Sequence, residues 1–238
     1  QRQMCIRDRS GDKKFLGMVG MHGTYEANMA MQNCDCLVAI GARFDDRVVG
    51  LPSNFAQPGR KIIHIDVDPS TISKRVKVDI PIVGDVKVVL ADMLNLLDEI
   101  PERPDAEKMA AWQNKIDEWR KIDCLHYEKS DKVIKPQEVL EKLQEVAGPD
   151  LIVASDVGQH QMWCAQFLSF TKPRHWLSSG GLGTMGVGLP YAIGACVANP
   201  DKQVVCITGD GSIQMNIQEL ATAKQLGINP KIIIPVSY

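Results

Sequence analysis

Val204-Val205-Cys206-Ile207-Thr208-Gly209-Asp210-Gly211-Ser212 is the stretch that decides how this chain folds. An apolar, β-branched run without alternation reads as a strand buried on both faces, which is the habit of parallel sheets. A helix is expected directly after it, from Ser212 to Leu226, with Ile213, Ile217, Leu220 and Ala221 on one face and Gly227 and Pro230 as its stop. The turn between them suits a phosphate. Glycines let the backbone approach closely, a helix start offers unpaired N–H groups, and a strand-end carboxylate can hold a divalent cation against a diphosphate. Gly-Asp-Gly is also a common tight turn without a ligand, so the surrounding chain has to decide.

Outward from that stretch the pattern repeats. Leu151–Ala154 and Ile232–Ile234 read as further strands, and Gln137–Val146 and Gln161–Phe167 as helices. The polar loop Ser155-Asp156-Val157-Gly158-Gln159-His160-Gln161 and the glycine-dense segment Ser178–Pro190 should converge with Asp210 on one rim of the sheet. Five glycines between Gly180 and Gly188 favour close backbone contact with a ligand, with tight packing as the alternative. Upstream, Leu37–Ile40 and Lys61–Ile65 read as buried strands, the second closed by Asp66-Val67-Asp68-Pro69, and Asp85–Leu97 has helical spacing. Pro101–Asp105 breaks that helix, and a polar helical stretch with Trp112, Ile116 and Trp119 follows. The expected fold class is α/β, with two parallel-sheet units, both incomplete. The expected boundaries are an α/β unit over 11–100, a helical connector over 101–135 and a second unit over 136–238.

Composition narrows the function. In 238 residues, 27 Lys and Arg face 29 Asp and Glu, a formal net charge of −2 that makes no electrostatic case for nucleic acid or an anionic membrane. Apolar runs fall far short of the roughly 20 residues that span a bilayer. Small-molecule ligands and a cytoplasmic setting are expected, with no targeting segment evident. The seven cysteines are odd in number and lack paired C-x-x-C spacing, which fits reduced thiols. Cys36 and Cys206, inside strand-like runs, are expected to act as small hydrophobes. Residues 1–10 have no apolar period and are expected to be a foreign or disordered end, and both ends are expected to be truncated or spliced.

The segments Gly158–Met162, Ser179–Pro190 and Val204–Leu220 resemble the diphosphate-binding domain of acetolactate synthase catalytic (large) subunits. Gly20–Asn28, Arg43–Arg47 and His64–Pro69 resemble the same family's FAD-binding middle domain, of Rossmann-like type. The resemblance runs from about Phe15 to Ile234. It implies a transferase that decarboxylates pyruvate and joins the two-carbon unit to a second 2-oxo acid, pyruvate or 2-oxobutyrate, in branched-chain amino acid biosynthesis. The implied cofactors are thiamine diphosphate, Mg2+ and a structural FAD. A homodimer or tetramer is implied, with a small regulatory subunit as a further partner. Asp210 would ligate Mg2+, while Gly209, Gly211 and Ser212 meet the phosphates. Gly158, Gln159, His160 and Gly183 would line the pocket, and Met185 would prop the cofactor in its folded shape. FAD contacts would come from His22, Gly23, Thr24, Gly41, Arg43, Asp66 and Asp85. From the residues alone, Arg43, Asp45, Asp46 and Arg47 could equally be a solvated ion-pair cluster.

The chain departs from the family in one respect that bears on the metal. The strand Ile232–Ile234 leads in the family to Leu-Asn-Asn, whose second Asn completes the metal site, whereas here Pro235, Val236 and Ser237 follow. Ser237 offers a hydroxyl, a poorer ligand than a carboxamide. No catalytic residue is assigned, because the family's activating glutamate belongs to a domain outside this sequence. The chain by itself is therefore expected to lack the parent activity. Two other readings stand beside this one: another thiamine-diphosphate carboligase or oxidase, and a non-catalytic module that binds FAD or another nucleotide.

Overall fold

The computed structural model describes residues 12–55 and 57–235, in two compact units, Leu16–Leu125 and His126 onward, with residues 12–15 grouped with the second. Residues 1–10 and Ser237, on which expectations were placed, lie outside the described residues.

In the first unit, helix α1 (Tyr25–Asn33) leads to strand β1 (Cys36–Ile40), the short helices α2 (Asp46–Val49) and α3 (Pro52–Phe55), and strand β2 (Lys61–Asp66). Strand β3 (Ile80–Val83), α4 (Val86–Glu99) and α5 (Ala106–Arg120) follow. The three strands are parallel in the order β1-β2-β3, with Cys36 opposite Lys61 and Ile63 opposite Ile80. Helix starts are fixed by side-chain caps that satisfy otherwise unpaired N–H groups: Thr24 accepts from Ala27, Asp85 from Lys87, and Asp105 from Glu107 and Lys108. One face of the sheet carries the core of Ala39, Phe44, Val49, Phe55, Ile62, Val76 and Val78. The stretch expected as a connector is divided between the units. Helix α5 packs on α1 within the first, buries Ile116 there, and sets Trp112 edge-on to Trp119 at 5.8 Å.

The second unit runs α6 (Pro136–Ala147), β4 (Ile152–Ser155), α7 (Gln159–Phe167), β5 (Trp176–Ser178), α8 (Gly188–Ala198), β6 (Val204–Ile207), α9 (Asp210–Gln214), α10 (Glu219–Gln225) and β7 (Lys231–Ile233). Its sheet is parallel in the order β5-β4-β6-β7. Every residue of β4 and β6 is buried, as their unalternating apolar runs require. Val153, Val205 and Ile207 face Leu140, Cys164 and Leu168, from α6, α7 and the segment that follows, whereas Ile152, Ala154, Val204 and Cys206 face Leu189, Ala192 and Ile193 of α8. Chain order reverses about β4, since β5 lies on one side and β6 on the other. That leaves a crevice between the carboxyl ends of β4 and β6, the place where open α/β sheets hold ligands.

Several elements differ from expectation. The helix expected over Ser212–Leu226 is two, α9 and α10, parted at Met215–Gln218, where the backbone makes tighter i to i−3 bonds and Asn216 donates to the carbonyl of Gly186 at 2.8 Å. Helix α8 occupies part of the glycine-dense segment, with Pro190 in its first turn, where the missing N–H costs nothing. Strands β3 and β5 are too short, and α1 too weakly patterned, to stand out by period. Cys206 is fully buried as expected, but Cys36 begins β1 in an exposed position.

His175 is buried, with Nδ1 3.1 Å from the carbonyl oxygen of Leu151. Burial first, then the Lys202 charge, holds its imidazole below the ordinary range, against a smaller opposing pull from the Leu151 carbonyl. An unfolded chain takes up this proton near the ordinary value of about 6.5, before the folded one does. Stability is therefore expected to fall as pH drops below about 6.5, and urea midpoints measured from pH 7.5 to 5 should show a shallower fall in His175→Gln.

Candidate functional site

The crevice is organised around Asp156, the residue after β4 and fully buried. Its Oδ1 accepts from the N–H groups of Val157 and Gly186, both at 2.8 Å, and its Oδ2 from the Gly188 N–H and the Thr208 hydroxyl, both at 3.1 Å. Three segments meet on one carboxylate: the loop after β4, the glycine segment before α8, and the end of β6. The glycines serve that meeting. A Cβ on Gly188 would stand 2.9–3.1 Å from atoms of Asp156, and one on Gly186, whose φ is +85°, would come within 2.9 Å of Met215 and Asn216. Gly181 has open space where a Cβ would go, and Gly183, at φ +65°, comes no nearer than 3.9 Å to Val157. Packing thus accounts for Gly186 and Gly188 and leaves Gly181 and Gly183 facing room.

His160, in the first turn of α7, is buried between Gly158 and Gly209; a Cβ on either would lie 2.8–3.1 Å from its ring carbon Cε1. Among the described residues its Nε2 has no hydrogen-bond partner. Burial, the largest influence, holds the imidazole below its usual range against the pull of the Asp156 and Asp210 carboxylates. A neutral ring with one buried, unfulfilled nitrogen is poised to meet a polar group of a ligand. Asp210 opens α9 with its side chain exposed, and Gly211 is exposed beside it. The Ser212 hydroxyl donates to the Val157 carbonyl at 3.2 Å, so toward a ligand this residue has its N–H to offer. Gln159 is exposed, and Met185 is 44 % exposed on the glycine segment. Gly158, Gln159, His160, Gly183, Met185, Gly209, Asp210, Gly211 and Ser212 therefore share the carboxyl rim of the second sheet.

The donor set fits a metal–diphosphate ligand. Among the described residues no group of three or more His, Cys, Asp or Glu could enclose a metal by itself. A Mg2+ ion commonly takes one or two carboxylates and completes its shell with phosphate oxygens and water, which is what a lone exposed Asp210 permits. No lysine or arginine occurs in the sequence from Ser178 to Asp201 or from Gln203 to Ala223, so the segments that form this rim bring no cation of their own beside Asp156 and Asp210.

The first unit presents a second rim. Gly41 (φ +60°) and Arg43 follow β1, Asp66 ends β2 and Asp85 follows β3, all at the carboxyl edge. Backbone bonds from Gly41 to Ile65 and from Gly84 to Asp66 tie these ends together. The Gly20–Thr24 segment lies against α2, with Met21 N–H donating to the Arg47 carbonyl at 2.8 Å. Some of the residues expected to touch FAD have local work. Thr24 caps α1 and also donates to Leu16, Asp85 caps α4, and Gly23 packs where a Cβ would strike the Met18 carbonyl. His22 is exposed on the same segment. Arg43 lies 3.5 Å from Asp45. Fully buried His64 packs edge-on to Phe44 at 5.1 Å, with Nε2 4.0 Å from Asp66.

The sequence reading placed Asp156 on the rim without a role, and it did not single out Thr208 or Asn216. The one local signal was an aspartate closing an otherwise apolar strand. Its partners at Gly186, Gly188 and Thr208 lie 30 to 52 residues away, where no local pattern reaches.

A parallel sheet with glycine-flanked Asp210 at the exit of β6, beside its switch point, has the rim at which open α/β sheets hold ligands. Residues 156–235 match the family described as thiamine pyrophosphate enzyme, C-terminal TPP binding domain, and residues 5–93 match the thiamine pyrophosphate enzyme central domain. The chain belongs to the thiamine pyrophosphate enzymes, in the branch of the acetolactate synthase large subunits. It is 52 % identical over 213 residues to acetolactate synthase isozyme 3 large subunit of Escherichia coli (strain K12), covering 90 % of this chain and 37 % of that protein. Over 227 residues it is 52 % identical to acetolactate synthase large subunit of Haemophilus influenzae, covering 94 % and 39 %. The large subunit of Cyanidium caldarium is 47 % identical over 220 residues, covering 92 % and 37 %. The chain thus spans 37–39 % of the length of these relatives.

The packing at Asp156 leads to a specific expectation. Gly188→Ala should destabilise the second unit by about 1–3 kcal/mol, as overpacking does, and lower its urea midpoint without changing the m-value.

Proposed function

We infer that the chain is the part of an acetolactate synthase that holds thiamine pyrophosphate with Mg2+ on the second unit and FAD on the first. The observation that carries this is the rim around Asp210: an exposed strand-end carboxylate, open glycine backbone, and the buried, unfulfilled Nε2 of His160. Asp210 would ligate Mg2+, and the N–H groups of Gly209, Gly211 and Ser212 would meet the diphosphate. Gly158, Gln159, His160 and Gly183 would wall the pocket, with Met185 as the apolar prop and Ser237 at the place of a further metal ligand. When bound, thiamine pyrophosphate supplies the reactive carbon that lets a 2-oxo acid lose CO2 and join a second one. The protein's own part is to bind and orient the cofactor and to present a neutral imidazole at His160.

The substrates under this reading are pyruvate and a second 2-oxo acid, pyruvate or 2-oxobutyrate. The chain works within a homodimer or tetramer of large subunits, with a small regulatory subunit as a further partner, in the cytoplasm. On the first unit, Arg43 would pair with the FAD diphosphate and Asp66 would accept from a ribose hydroxyl, with His22, Gly23, Thr24, Gly41 and Asp85 shaping the same edge. The "large subunit" in the relatives' names supports the assembly.

Calorimetric titration with thiamine pyrophosphate should show saturable binding that needs Mg2+ and is abolished by EDTA. Asp210→Ala should weaken it by about a hundredfold, the upper end for residues that support a metal. A separate FAD titration, followed by flavin fluorescence, should give binding that Arg43→Ala weakens. FAD binding with no Mg2+-dependent thiamine pyrophosphate binding would overturn the reading in favour of a nucleotide-binding module.

A further inference from the structure

We propose that Asp156 is a positioning residue for the cofactor: it sets the glycine segment and the Gly209–Asp210 turn at the spacing a single metal–diphosphate ligand requires. This rests on the thiamine pyrophosphate reading above and assigns the site a residue that touches no ligand.

Asp156 is fully buried and forms no ion pair with a cation among the described residues. Its charge is met by three backbone N–H groups and one hydroxyl. Two of those donors, Gly186 and Gly188, flank Val187 at the start of α8, directly after Gly183 and Met185. A third, Thr208, adjoins Gly209 and Asp210, and the fourth, Val157, adjoins Gly158 and lends its carbonyl to Ser212. Each ligand-facing segment is thus one to three residues from a bond to the same carboxylate. A neutral side chain would hold the three segments less firmly, because hydrogen bonds to a buried charge are stronger than neutral ones. Asn216 supports the clamp from the far side through its bond to Gly186.

Asp156→Asn replaces one acceptor oxygen with an amide donor that must face a donor N–H. In the 238-residue chain at saturating Mg2+, its dissociation constant for thiamine pyrophosphate should rise at least about tenfold in protein that remains folded by circular dichroism, equivalent to about 1.4 kcal/mol. Amide exchange at Gly186 and Gly188, followed by NMR, should accelerate by a similar factor without ligand. A merely structural role would lower the urea midpoint and leave the dissociation constant of the folded protein at the wild-type value, and that result overturns the proposal. Should wild type fail to bind thiamine pyrophosphate, the cofactor reading fails. The exchange rates still judge the clamp: unchanged exchange at Gly186 and Gly188 refutes it, and faster exchange upholds it. If Asp156→Asn does not fold, Thr208→Val removes one donor of the four; a severalfold weaker dissociation constant supports the clamp, and an unchanged one refutes it.

Discussion

A carboxylate buried without an ion-pair partner among the described residues governs the second unit. Removed from water, the Asp156 charge would be costly unless every lone pair were engaged, and a single local turn cannot supply four donors. They come instead from Val157, Gly186, Gly188 and Thr208. Satisfying one side chain therefore forces the loop after β4, the entry to α8 and the exit of β6 into one place. The parallel order β5-β4-β6-β7 puts that place at the switch point, where backbone N–H groups are already available to a ligand.

The site that results is anionic on the protein side. Asp156 and Asp210 both act on His160, yet burial keeps that imidazole below its usual range. Under the proposed function, Asp210 would hold a divalent ion that accompanies the diphosphate, which would couple metal and cofactor binding through electrostatics. The first unit solves a related problem differently. Its rim carries Arg43 3.5 Å from Asp45, and much of its local polar chemistry is spent on capping, by Thr24 and Asp85.

The strands β2, β4 and β6 were legible because runs such as Ile62–Ile65 and Val204–Ile207 suit the interior of a parallel sheet, whereas β1, expected as a buried strand over Leu37–Ile40, forms as a strand but leaves Val38 and Ile40 exposed. Helix α4 was legible from its period, and α1 was missed because its first turn is set by the Thr24 cap and not by an apolar stripe. The break between α9 and α10 was hidden as well. Nothing in Met215–Gln218 forbids a helix, and the turn coincides with Asn216 reaching the carbonyl of Gly186, 30 residues earlier.

The sequence by itself determined the α/β class, the two-unit plan and the rim residues from Gly158 to Ser212, because strand burial and glycine-rich strand exits are local properties of composition and period. Tertiary structure alone decided what the glycines do. Gly186 and Gly188 are fixed by contact with Met215, Asn216 and Asp156, whereas Gly181 and Gly183 are left open. That division depends on which distant segments share one buried charge, and a charge is satisfied in three dimensions, by whichever donors the fold brings within about 3 Å of it.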